Sequence, residues 1–190
     1  MFGKSLGKEK NKTHKTALCI IPPKKLWQPI QAIRKKHDKQ FYRWMPHINL
    51  LYPFKPKSSF SLVLDVLVHA CSQMEPFYIT LSEINYFKHG KQNFTLWLDM
   101  DNSDRLVRLQ QSIWDLVPEC NELNKFPSGY TPHLSIGQSK SGVKALRLLE
   151  NLQATWQPIR FQVKELHLIW RKDPPNDRFR IGETVRLGKN

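Results

Sequence analysis

One short pattern occurs twice in this chain and constrains it more than any other: proline, histidine, an apolar residue, a small polar residue, an apolar residue. It reads Pro46-His47-Ile48-Asn49-Leu50 in the first half and Pro132-His133-Leu134-Ser135-Ile136 in the second. Side chains alternate along a strand, so residues two apart share a face. His47 and Asn49 therefore point the same way, as do His133 and Ser135. Ile48, Leu50, Leu134 and Ile136 point to the opposite face, where helices can cover them. Each proline withholds a backbone donor where its strand begins, which places that start at a sheet edge or a strand end. The fold must therefore hold two copies of one polar surface.

The pattern around these strands is regular. Thr16 to Ile21 predicts a buried strand stopped by Pro22 and Pro23. Leu26 to Phe41 predicts a helix with Leu26, Ile30 and Ile33 inward and a basic outer face. His47 to Phe54 follows as a strand, then Ser59 to Met74 as a helix that Ser59 can cap. Phe77 to Phe87 and Phe94 to Met100 predict a hairpin around His89-Gly90-Lys91-Gln92. In the second half, Arg105 to Val117 is helical, with Leu106, Leu109, Ile113 and Leu116 on one stripe. Pro132 to Gly137 is a strand, and Val143 to Trp156 a helix with Leu146, Leu149 and Leu152 inward. Phe161 to Trp170 and Phe179 to Leu187 make a last strand pair around Asp173-Pro174-Pro175-Asn176. The order is β-α-β-α-β-β, then α-β-α-β-β: an approximate duplication. It implies an α+β chain of two lobes facing each other across a cleft.

The chain has 190 residues, 40% of them apolar, enough for one domain over 16–190 and too few for two independent ones. Residues 1–15 carry five lysines against one glutamate and no periodicity, and are expected to form a basic flexible tail. The net charge of +14 attracts phosphates, which suits a nucleic-acid ligand; a merely basic protein, or one drawn to anionic lipid, would share it. Cys19, Cys71 and Cys120 are isolated, with no CxxC motif, so neither a disulfide framework nor structural zinc is expected. No stretch is apolar enough for a secretory signal or a membrane span. The expectation is a soluble monomer in a reducing compartment, cytoplasmic or nuclear.

Two facing copies of the histidine surface meet the needs of phosphodiester chemistry. One neutral imidazole takes a proton from the attacking water or hydroxyl, and the other, protonated, gives one to the leaving oxygen. Asn49 and Ser135 can donate to the non-bridging oxygens, where charge builds in the transition state. The scheme needs no metal and no cofactor. A lone histidine on a strand is more often a structural residue, and His14, His37, His69, His89 and His167 are read that way. Alternation from His47 assigns Trp44, Tyr52 and Phe54 to the core. Tyr130 and Trp170 could stack on bases or pack in the core. Arg43, Arg171 and Lys172 could bind phosphate or form a solvated rim.

Together with Glu165-Leu166-His167-Leu168-Ile169-Trp170, the two histidine strands resemble the paired H-x-[ST] signature of the 2H phosphoesterase superfamily, also called the 2′-5′ RNA ligase-like family. The resemblance runs from about Lys15 to Gly188. It implies a bilobal, pseudo-two-fold fold of two antiparallel sheets flanked by helices, with both histidines in the central cleft. It also implies cofactor-free action on 2′,3′-cyclic phosphates or 2′-5′ linkages in RNA. His47 and His133 match the catalytic pair, and Asn49 and Ser135 the phosphate-contacting pair. Asn49 stands where Ser or Thr is usual, although its amide can still donate. The leading expectation is a phosphodiesterase that hydrolyses 2′,3′-cyclic phosphate ends of RNA or oligonucleotides. A 2′-5′ oligoadenylate phosphodiesterase and a non-catalytic RNA-binding module of the same fold are the alternatives.

Overall fold

A computed structural model describes residues 12–120, 122–124 and 129–189. In chain order its elements are β1 (Thr16–Ile20), α1 (Trp27–His37), β2 (Ile48–Leu51), α2 (Phe60–Ser72), β3 (Phe77–His89), β4 (Asn93–Met100), α3 (Ser103–Trp114), β5 (Leu134–Ser139), α4 (Gly142–Gln153), β6 (Ile159–Val163), β7 (Glu165–Trp170) and β8 (Arg180–Arg186). They form two four-stranded antiparallel sheets, ordered β2-β1-β7-β8 and β5-β4-β3-β6. The α+β, two-sheet expectation holds. β2 and β5 each close one edge of a sheet, where a preceding proline costs no ladder hydrogen bond.

The duplication is arranged differently from a simple division into halves, because each sheet draws strands from both ends of the chain. The segment expected as one strand over 161–170 divides at Lys164. β6 pairs Val163 with Phe77 in the second sheet, whereas β7 pairs His167 with Cys19 in the first. The burial pattern marks the change. β6 alternates, with Arg160 and Gln162 exposed, while Leu166 to Ile169 are buried on both faces, as a central strand requires.

The helices cover the outer faces. Phe60, Val63, Leu67 and Cys71 of α2 are buried at helical spacing, and α2 packs beside β8. Ser59 occupies the cap position but makes no capping bond, contrary to expectation. In α3, Leu106, Leu109 and Ile113 are buried as expected. Leu116 is not: the helix stops at Trp114, and the chain turns Val117 inward instead. In α4 the inward positions are Ala145, Leu149 and Leu152, while Leu146 is exposed.

Helix α1 reaches across to β5. Its basic face is not wholly outward, because Arg34 is fully buried and paired with Asp38. Arg34 Nε donates to Asp38 Oδ2 at 2.8 Å and its terminal nitrogens donate to Gln31 and to the Trp44 carbonyl. Asp38 also accepts from Gln138 Nε2 of β5 at 3.0 Å, so one ion pair ties α1, the Trp44 loop and the His133 strand together. Gly137 permits this close approach. A Cβ there would lie 2.8 Å from His37 Cβ and 3.2 Å from its carbonyl oxygen.

Residues 1–11, most of the expected tail, lie outside the described residues. Lys12–Lys15 are held: Thr13 bridges Phe54, Lys12 pairs with Glu122, and Lys15 Nζ meets Asp173 at 2.6 Å. The three cysteines are buried and unbridged, and burial pushes their thiols up, Cys120 to about 11.

Candidate active site

His47 and His133 each sit one residue ahead of an edge strand. Burial runs in step through the two copies: Pro46, Ile48 and Leu50 are buried, as are Pro132, Leu134 and Ile136, while each histidine and its polar partner are half-buried. Both rings are oriented the same way. His47 Nδ1 lies 2.7 Å from the Met45 carbonyl and His133 Nδ1 lies 2.9 Å from the Thr131 carbonyl, two residues back in each case. A carbonyl can only accept, so Nδ1 carries the proton in both rings. Nε2 is thereby left as the nitrogen that can take or give one.

The two half-sites adjoin. Tyr130 Oη donates to the Asn49 carbonyl at 2.7 Å, bridging the chain before β5 to β2, and a charge on His133 is felt at His47. Burial pushes His47 down to about 4, with smaller contributions from Arg34 and His133 in the same direction. Burial also lowers His133, aided by His89, while its bond to the Thr131 carbonyl favours the charged form.

Strand pairing extends each surface into a row. Asn49 pairs with Cys19, Cys19 with His167, and His167 with Thr184 across the first sheet. In the second sheet Ser135 pairs with Trp97 and Trp97 with Asn85. Paired residues share a face, so both rows line the side that carries the histidines. Asn49 Oδ1 and Trp97 Nε1 are buried without a hydrogen-bond partner among the described residues. His167 is buried and bonded to Thr184 Oγ1 at 3.1 Å, which fits its structural reading.

Alternation misplaced two aromatics. Phe54 is in the main core, but Trp44 and Tyr52 belong to a small cluster on the histidine side of the first sheet. Both lie outside β2, where strand parity has no force. Trp44 stacks on His47 with centroids 4.4 Å apart, and Phe179 stacks on Trp44 at 3.7 Å. Around His133 the neighbours are Phe87, edge-on at 4.9 Å, and Trp97 at 5.9 Å. Phe87, Trp97 and Phe179 were missed; the pairing of β3 with β4 and β4 with β5, and that of β7 with β1 and β8, brings them beside the histidines.

The other expected contacts separate. Tyr130 has its hydroxyl committed to Asn49. Arg43 Nε is bonded to Asp177 at 2.7 Å, and Arg171 places its guanidinium 5.5 Å over Phe179, next to the Trp44 stack. Trp170 pairs with Thr16 on the α2 side of the sheet, away from His47, with Lys57 Nζ 3.6 Å above its ring. Lys172 is exposed. Among the described residues no three His, Cys, Asp or Glu groups converge as metal ligands would, and no helix is long and apolar enough to cross a membrane.

A family model described as the 2′-5′ RNA ligase superfamily matches residues 22–175. The chain belongs to this superfamily, the 2H phosphoesterases. A curated superfamily relative from Bacillus cereus (strain B4264), named "Putative phosphoesterase", is 24% identical over 92% of this chain and 98% of its own. A protein of the same name from Bacillus thuringiensis (strain Al Hakam) is 23% identical over the same shares. Among solved structures, Escherichia coli LigT complexed with phosphate superposes with a TM-score of 0.60 at 16% identity, covering 94% of this chain and 99% of LigT. TT0787 of Thermus thermophilus gives 0.59 at 15% identity over 92% and 99%. These two likenesses establish a shared fold.

Proposed function

We propose that this protein is a phosphodiesterase that hydrolyses 2′,3′-cyclic phosphate ends of RNA or oligonucleotides, with His47 and His133 as its acid/base pair. The observation that carries the reading is the matched pair of imidazoles, each with Nδ1 fixed on a carbonyl and Nε2 free to exchange a proton. One Nε2 takes a proton from water as its oxygen bonds to phosphorus. The other gives a proton to the ribose oxygen as its bond to phosphorus breaks. Which histidine does which depends on whether the 2′ or the 3′ oxygen leaves. Asn49 and Ser135, beside the two rings, donate to the non-bridging oxygens. Asn49 Oδ1 accepts no hydrogen bond among the described residues, so the side-chain amide is not tied down through its oxygen. Both proton transfers are supplied by the protein, and the step calls for no metal. LigT, which shares the fold, has been solved with phosphate and with 3′-AMP, which supports a phosphate-bearing nucleotide as the ligand here.

The test is turnover of RNA ending in a 2′,3′-cyclic phosphate, in EDTA, alongside 2′-5′-linked oligoadenylate, with product identification. Hydrolysis of the cyclic end, abolished in His47→Ala and in His133→Ala, is expected. Turnover of neither substrate would sink the catalytic reading, and turnover surviving either substitution would sink the two-histidine mechanism.

A further inference from the structure

The aromatic stack behind His47 continues through Phe179 and meets two arginines, Arg171 and Arg178, that no carboxylate pairs among the described residues. Phe179 lies against Trp44, and Arg171 sets its guanidinium over Phe179 with Nε buried and without a partner among the described residues. The Phe179 backbone nitrogen donates to the Arg43 carbonyl at 2.9 Å, so the 41–44 loop and the turn before β8 are fastened together. On that joint Tyr42 is 70% exposed, with the Arg178 guanidinium 5.8 Å from its ring centroid. Neither Arg171 nor Arg178 has a carboxylate partner among the described residues, whereas Arg43 beside them is held by Asp177. An exposed aromatic ring with one guanidinium beside it, joined to a stack that carries a second guanidinium and reaches His47, has the make-up of a single-strand track. Bases stack on the ring and phosphates meet the guanidiniums.

We propose that Tyr42, Arg171 and Arg178 form an extended subsite for the RNA strand leading into the cleft, so the substrate is a polynucleotide of several residues. This rests on the phosphodiesterase reading but is tested separately, by binding. The probe is a fluorescent RNA of about twelve nucleotides ending in a 3′-phosphate, titrated by anisotropy between about 50 and 200 mM salt. Arg171→Gln with Arg178→Gln is expected to weaken binding about tenfold and to lower the log–log salt slope by about 1.4, since each single-strand phosphate contact contributes roughly 0.7. Tyr42→Ala, at a side chain that is 70% exposed, should weaken binding about fivefold with the slope intact. Lys144→Gln with Arg147→Gln, an exposed pair on α4, should change neither quantity.

An unchanged slope in the arginine variant, or an equal loss from the α4 pair, overturns the proposal. So does capture of phosphatidylserine vesicles through these arginines while RNA binding ignores them. RNA that binds as expected but is never cleaved would instead remove the catalytic reading and leave this one standing.

Discussion

The two half-sites agree in geometry and differ in surroundings. Both present a histidine ahead of an edge strand, tether Nδ1 to the carbonyl two residues back, and follow with a polar residue on the same face. Around His47 the ring is sandwiched flat against Trp44 and feels the buried Arg34–Asp38 pair. Around His133 the aromatics meet the ring by their edges, and the nearby titratable group is His89. The position beside the polar residue is Cys19 in one half and Trp97 in the other. Repetition has thus kept what aims the two Nε2 atoms and let go what sets their basicity. The proposed mechanism asks opposite proton chemistry of the two rings, which unlike environments would serve.

The bluntest way to break the comparison is to remove each ring in turn. His47→Ala and His133→Ala should each lower kcat/KM about a thousandfold. The double variant should be little worse than either single, because two groups acting in one step are not additive. A mild loss in only one variant would mean that a single histidine carries the reaction.

Next in size is the aromatic setting. Trp44→Leu should cost about thirtyfold, from a misaimed Nε2, and Phe87→Leu only about threefold, since an edge contact constrains a ring less. Losing Trp44 also hydrates His47, so its pKa should rise from about 4 toward 6.5 and the acid limb of kcat/KM should move to higher pH. In the unaltered protein both histidines are depressed, so kcat/KM should peak between about pH 4 and 6.5. A peak above neutrality would contradict the burial argument for both rings.

The polar rows were half legible in the sequence. His47, Asn49, His133 and Ser135 could be placed from alternation alone, because period two is a property of a single strand. Cys19, Phe87 and Trp97 could not, because their positions beside the histidines depend on which strands pair. Trp44 was misassigned for a related reason: it stacks on His47 from a turn, and parity counted backward through a turn has no meaning. The division at Lys164 was hidden because strand-forming residues lie on both sides of Lys164 and Glu165, and the change from one buried face to two marks the crossing. Arg34 shows the same blindness for charge. A guanidinium on a helix reads as solvated until its carboxylate, Asp38, is found buried beside it.

A smaller effect separates the ends of the two strands. After the polar residue and one apolar position, the first copy continues with Leu51 and the second with Gly137, where α1 leans on the backbone. Gly137→Ala should lower stability by about 2 kcal/mol as His37 is pushed aside, a Tm drop of about 5 °C by calorimetry. An unshifted Tm would mean that α1 is not seated on β5.

The finest difference between the halves should appear in acid. An unfolded imidazole titrates near 6.5, whereas the folded His47 does so near 4. Between those values the unfolded chain holds a proton that the folded one lacks. The stability contributed by a neutral His47 is therefore complete above pH 6.5 and is lost as pH falls through the window. For a half-buried ring the loss is on the order of 1–2 kcal/mol, a Tm fall of roughly 4 °C. His133 is shifted in the same direction. His47→Asn should flatten the Tm–pH curve below pH 6.5 more than His133→Asn does, because the flat stack on Trp44 excludes water from one whole face of its ring. Equal flattening would show that burial of the strand ends, which the two halves share, governs both rings, and that Trp44 acts on aim alone.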